Sequence, residues 1–193
     1  MPERSPLAPY QTALPTHVVI PCFRESQRLP RFLAELCQAM DALGGVVVQV
    51  VDDGSGATEL EATTEIIEAL RQRHPCLLPL LALGENLGKG GAVYAGWDLA
   101  APDTQWLAFV DADGSVSAGE VARVLGLARS LPADSQALPA LFASRVKMLG
   151  RTVDRHFKRH LLGRVFATLV SELLHIPVYD SQCGLKVMPR SAF

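Results

Sequence analysis

Runs of apolar residues, each closed by turn formers and each followed by a segment of helical period, recur along the chain. A short apolar run over 17–20 closed by Pro21 predicts a first strand, and 46–51, β-branched except at Gln49, predicts a second buried on both faces. Between them Phe32, Leu33, Leu36 and Met40 repeat at helical spacing, so a helix is expected over 30–43, with Pro30 tolerated in its first turn and Gly44-Gly45 stopping it. Leu60, Ile66, Ile67 and Leu70 mark a second helix over 58–74, ended by Pro75. Further strands are expected over 77–83, 106–110, 138–143 and 185–188, and further helices over 92–100 and 117–131. The glycine-rich 84–91 reads as a loop leading into the third helix. Strand and helix alternate throughout. That is the pattern of an α/β fold with a mostly parallel sheet flanked by helices and right-handed crossovers.

Two strands end in carboxylates. The run over 107–110 stops at Asp111-Ala112-Asp113-Gly114-Ser115, and the run over 46–51 stops at Asp52-Asp53-Gly54-Ser55. In an open α/β sheet the carboxyl edge is where ligands bind. Side chains at i and i+2 of an extended segment leave on the same side, so Asp111 and Asp113 can converge on one divalent cation. Mg²⁺ or Mn²⁺ is held by one or two carboxylates, with water and substrate phosphates completing the shell. The competing reading is a solvated turn, because Asp, Gly and Ser are common turn formers.

The 193 residues suit one domain, taken as 16–193 after a flexible leader over 1–15 that carries four prolines. A net charge of −2 argues against bulk nucleic-acid binding. The charge is uneven, however: over 145–164, Arg145, Lys147, Arg151, Arg155, Lys158, Arg159 and Arg164 stand against Asp154 alone. A basic patch on an acidic chain suggests one anionic partner at one place. Beyond it, 161–176 turns apolar at helical spacing. The basic and apolar parts together could lie at a lipid interface, or the apolar side could pack on the sheet. No uncharged apolar run is long enough to span a bilayer. Cys22, Cys37, Cys76 and Cys183 show no metal-ligand spacing and are expected to be reduced thiols.

Neither a phosphate-loop motif nor a dinucleotide fingerprint fits. The stretch 84–89 is one residue short of GxxxxGK, and Gly90 stands where a Ser or Thr should bind Mg²⁺. No GxGxxG follows the first strand. Lys89 is left on a glycine loop at the ligand edge, where it contacts a phosphate or supports the turn. The DADGS stretch also resembles the nucleophile motif of haloacid-dehalogenase-type phosphatases, but that family carries it on its first strand and here it ends the fourth.

Five ordered motifs point elsewhere: Val19-Ile20-Pro21-Cys22-Phe23-Arg24-Glu25, VVDDGS, Asn86-Leu87-Gly88-Lys89-Gly90-Gly91-Ala92, VDADGS and Asp180-Ser181-Gln182-Cys183-Gly184-Leu185-Lys186. In order and spacing they resemble family-two glycosyltransferases, and the last is similar to the DTQCGFK signature of dolichyl-phosphate β-glucosyltransferases and their bacterial relatives. The resemblance implies a Rossmann-like GT-A fold and an inverting enzyme. Such an enzyme moves a hexose from a nucleotide-sugar to a polyprenyl phosphate, with Mg²⁺ or Mn²⁺ as cofactor. UDP-glucose is the expected donor and GDP-mannose the second choice. It further implies that Pro21, Phe23 and Glu25 line the nucleoside pocket above Asp53, that Lys89, Asp111 and Ala112 also bind the nucleotide-sugar, and that Asp111 and Asp113 hold the metal. Arg145 and Arg159 would face phosphates, and Asp180 would orient groups at the reaction centre; a loop carboxylate capping nearby backbone is the alternative for Asp180. A lipid-phosphate acceptor places the protein peripherally on the cytoplasmic face of a membrane. Two features depart from the pattern. Phe23 replaces the usual Tyr, keeping a ring without its hydroxyl, and the chain stops at Phe193 where relatives continue, so the domain is expected to be truncated. The rival expectations are a non-catalytic nucleotide-sugar binding module and a glycosyltransferase with a soluble glycan acceptor.

Overall fold

The computed structural model describes residues 15–131, 139–143 and 183–193. A six-stranded sheet organises them. Its strands are β1 (Thr16–Cys22), β2 (Val46–Asp52), β3 (Leu81–Ala82), β4 (Trp106–Val110), β5 (Leu141–Phe142) and β6 (Leu185–Pro189), in the order β3-β2-β1-β4-β6-β5. The helices are α1 (Leu29–Leu43), α2 (Ala57–Arg71), α3 (Gly88–Asp98) and α4 (Ala118–Arg129), with a 3₁₀ turn at Arg190–Ala192.

Alternation along the strands decides the layers. Val18, Ile20, Val48, Val50, Ala108 and Val110 face a core built with α1, α2 and α4, in which Leu33, Leu36 and Met40 of α1 are fully buried. Truncating Leu33 or Leu36 to Ala is expected to cost about 2–5 kcal/mol. Val19, Val51 and Leu107 point the other way, against Ala92, Val93 and Trp97 of α3, and the Trp97 indole N–H donates to the Ala108 carbonyl at 2.9 Å. The Arg129 guanidinium at the end of α4 donates to the carbonyls of Gly44 (2.8 Å) and Gly45 (2.7 Å), closing the far end of this layer.

Five expectations change, the simplest being the strand expected over 138–143, of which the described residues keep only Leu141–Phe142. β1 runs through Pro21 to Cys22, because Pro21 can lie in a strand where its missing N–H is not required. The third strand shrinks from 77–83 to Leu81–Ala82 plus a single bridge between Val48 and Leu77, as Pro79 interrupts the donors needed for a continuous ladder. The glycine loop ends earlier than expected. α3 begins at Gly88, so Lys89 sits in the first turn of a helix and not in a loop. Finally, β6 is antiparallel to β4 and β5, pairing Val110 with Leu185 and Trp106 with Pro189. Alternating patterning alone cannot tell the direction of an edge strand. The consequence for the site is large, since antiparallel entry puts the start of β6 beside the end of β4.

Candidate functional site

β1, β2 and β4 are parallel, so their carboxyl ends emerge at one edge, where a cleft of about 240 Å³ is lined by Pro21, Cys22, Phe23, Glu25, Arg28, Asp53, Lys89, Asp111, Ala112 and Asp113. Eight of these positions are the ones the sequence reading assigned to nucleotide-sugar or metal binding. The structure brings all eight together.

The end of β2 shows why its two aspartates differ. Asp52 Oδ1 accepts from the Ser55 amide at 3.0 Å and so closes the turn, while the Ser55 hydroxyl accepts from the Arg24 amide at 2.9 Å. Asp53 faces the cleft, only 3% exposed, and its Oδ1 accepts from the Leu87 amide just ahead of α3 at 2.8 Å. Gly54 has φ +71°, and a Cβ there would lie 2.7 Å from the Asn86 amide nitrogen. Glycine is therefore required for both conformation and space. The DDGS turn and the loop over 84–87 are locked together, and the lock fixes where Lys89 starts.

Asp111 is held by a second close approach. Its amide donates to the Gly184 carbonyl at 2.9 Å, and a Cβ on Gly184 would come within 2.4 Å of Asp111 Oδ2. The end of the 180–186 motif is thus packed directly against the first carboxylate of DxD. Asp113 accepts from the Ser115 amide at 2.9 Å, a local turn that orients its carboxylate. The Lys89 ammonium pairs with Asp111 Oδ1 and lies 5.1 Å from the centroid of the Phe109 ring. A cation thus already pairs with this carboxylate, and no third His, Cys, Asp or Glu clusters with Asp111 and Asp113 among the described residues. Two carboxylates facing an open cleft fit a Mg²⁺ or Mn²⁺ whose other ligands come from diphosphate and water.

Phe23, 42% exposed at the cleft mouth, carries the Arg24 guanidinium 5.0 Å from its ring centroid. Glu25 pairs with Arg28 at 3.2 Å. Arg28 and Cys22 are cleft residues the sequence reading passed over; Arg28 is signalled only by its i+3 spacing from Glu25. Burial, reinforced by Asp52 and Glu25, pushes the Cys22 thiol up to about 12, so it stays protonated and is no nucleophile at neutral pH. Arg145, Arg159, Asp180 and the basic-to-apolar segment lie outside the described residues.

A parallel-to-antiparallel sheet with acidic strand ends converging on one cleft defines a GT-A-type nucleotide-sugar fold. The comparisons agree: residues 17–193 match the family described as Glycosyl transferase family 2, and the chain belongs to it. It is 26% identical over 179 residues to a dolichyl-phosphate beta-glucosyltransferase of Dictyostelium discoideum, covering 90% of this chain and 53% of that protein. It is 28% identical over 187 residues to the Drosophila melanogaster protein of the same name, covering 93% and 56%. The chain thus spans about half the length of the curated relatives it matches. Among solved structures, a mannosyltransferase from Pyrobaculum calidifontis in complex with GDP-Man and Mn²⁺ superposes with a TM-score of 0.53 over 95% of this chain and 48% of that one, at 19% identity. That likeness supports the fold.

Proposed function

We propose that the chain is the donor-binding domain of an inverting glycosyltransferase that moves a hexose, glucose in the first instance, from a nucleotide-sugar to a polyprenyl phosphate. The observation that carries this reading is the single cleft in which Phe23, Asp53, Lys89, Asp111 and Asp113 meet at the carboxyl edge of the sheet. The names of the dolichyl-phosphate relatives support the acceptor class.

In this reading Phe23 stacks on the base, Asp53 accepts a hydrogen bond from its N–H, and Lys89 contacts the diphosphate. A divalent cation held by Asp111 and Asp113 would offset the negative charge of the departing nucleoside diphosphate. The acceptor phosphate has a second pKa of about 6 and is largely dianionic at neutral pH. Its oxygen attacks the anomeric carbon as the bond to the diphosphate oxygen breaks. The configuration inverts and the nucleoside diphosphate leaves, with little need for a base. Arg145 and Arg159 are assigned to the phosphates and Asp180 to orientation at the reaction centre. In the same reading the domain works peripherally at the cytoplasmic face of a membrane, where a lipid acceptor would present its phosphate.

Calorimetry against UDP and GDP, with and without Mn²⁺, tests the donor site. UDP is expected to bind more tightly than GDP, and more tightly with the metal than without it. Absence of binding by either nucleotide in Mn²⁺ sinks the reading. Transfer of glucose from UDP-glucose to a short polyprenyl phosphate then tests the acceptor.

A further inference from the structure

We infer that Lys89 is a resident counter-cation of the metal site: it pairs with Asp111 until a nucleoside diphosphate offers it phosphate oxygens instead, so that metal and nucleotide bind cooperatively. The inference rests on the donor-site reading above and adds an order of events to it.

The two partners are unlike in freedom. Asp111 is fixed through its amide by Gly184, whose missing Cβ leaves the carboxylate only this room. Its side chain is 28% exposed. Lys89 stands in the first turn of α3, its side chain 52% exposed, on a four-carbon arm reaching across the cleft to Asp111 Oδ1 and over the Phe109 ring. Asp111 is therefore the post and Lys89 the movable part. A divalent cation entering alone must share Asp111 with an ammonium of like charge, or displace it into solvent with the loss of its partner. A diphosphate changes the balance, because its oxygens offer the ammonium a new anionic partner within the length of the same arm. Metal on the carboxylates and ammonium on the phosphates is then the best-neutralised arrangement of these charged groups. Linkage requires the effect to be mutual: if the nucleotide tightens the metal, the metal tightens the nucleotide by the same factor.

The sign of the test separates this role from a structural one. A merely damaged site binds Mn²⁺ less well, whereas loss of a competing charge makes it bind better. Mn²⁺ affinity, measured by electron paramagnetic resonance without nucleotide, is expected to rise roughly fivefold in Lys89→Gln, the scale of a partly exposed ion pair. Lys89→Arg, which keeps the charge, should match the wild-type chain. The factor by which UDP tightens Mn²⁺ should shrink in Lys89→Gln. Lys186, whose ammonium lies 4.9 Å from the Phe109 ring centroid, supplies the control for general electrostatics: Lys186→Gln should leave the Mn²⁺ affinity close to wild type. Equal Mn²⁺ affinities in wild type and Lys89→Gln, with UDP bound by the wild-type chain, overturn the counter-cation role and leave the donor site standing. An equal gain in Lys186→Gln overturns it too. A wild-type chain that binds Mn²⁺ but never UDP overturns both, because the release of Lys89 then has no trigger.

Discussion

At the scale of single residues, the site depends on what Asp111 and Asp113 can reach. If both ligate a metal that neutralises the diphosphate, Asp113→Asn weakens UDP binding in Mn²⁺ and changes it little in EDTA. Equal losses under both conditions, read by calorimetry, would show the carboxylate to be structural. Gly184 gives a sharper prediction, because it bears directly on Asp111. Its Cβ position falls 2.4 Å from Asp111 Oδ2, so Gly184→Ala must move that carboxylate or the start of β6. Overpacking of this kind costs about 1–3 kcal/mol. The expected result is a folded chain of lowered melting temperature whose Mn²⁺-dependent UDP binding is largely lost. Unchanged UDP affinity would mean that the close approach has no bearing on the site. Asp53 needs more care, since one oxygen already holds the Leu87 amide. Its role in reading the base is best judged by comparing UDP with an analogue methylated at the uracil N–H. Asp53→Ala should lose the preference for UDP as well as affinity.

At the scale of elements, β1 carries a buried titratable group. His17 is 1% exposed and its Nε2 has no hydrogen-bond partner among the described residues. Burial, with a smaller contribution from the Arg190 charge, lowers its pKa to about 4 from the usual 6.5. An unfolded chain takes up this proton as pH falls through 6.5, whereas the folded chain resists until about 4. The unfolded state therefore binds more protons across that window, and stability falls as the pH drops through it. The stabilisation present above pH 6.5 and lost by pH 4 is on the order of 3 kcal/mol. Denaturant melts of wild type and His17→Leu at pH 7 and pH 4.5 check this: the gap between the two pH values should be clearly smaller in the variant. α1 and the turn that follows α2 are tied separately, by Asp41 accepting from His74 at 2.7 Å and from the Cys76 amide at 3.2 Å.

At the scale of the whole molecule, the proposed membrane surface makes a prediction about the basic segment. No helix among the described residues is long and apolar enough to cross a membrane. The sequence places Arg151, Arg155, Lys158 and Arg159 against Asp154, followed by Leu161, Leu162, Val165, Phe166 and Leu169 at helical spacing. Each basic residue near an anionic surface is worth about 1 kcal/mol. Arg155→Glu combined with Arg159→Glu should therefore reduce sedimentation with anionic liposomes markedly, as should high salt for the unmutated chain. A chain that binds UDP and Mn²⁺ but never such liposomes at low salt is not a surface-bound enzyme.

The hydrophobic pattern by itself determined the order of strands and helices. Apolar runs of strand length and helical repeats such as Phe32, Leu33, Leu36 and Met40 state their structure locally. The carboxylates that close β2 and β4 were legible for the same reason, since a strand end is a local event and the α/β class says which edge binds ligands. The direction of β6, the shortening of β3 and the start of α3 at Gly88 were not legible. Strand direction is decided by how the chain returns to the sheet. The extent of β3 depends on which donors β2 can pair around Pro79, and a glycine-rich first turn is helical only because Asp53 and the loop ahead of it hold it there. Nor could spacing reveal that Gly184 buttresses Asp111 or that Lys89 rests on it. Residues 184 and 89 lie far from 111 along the chain, and only the antiparallel return of β6 and the crossover through α3 bring all three to one point of the cleft.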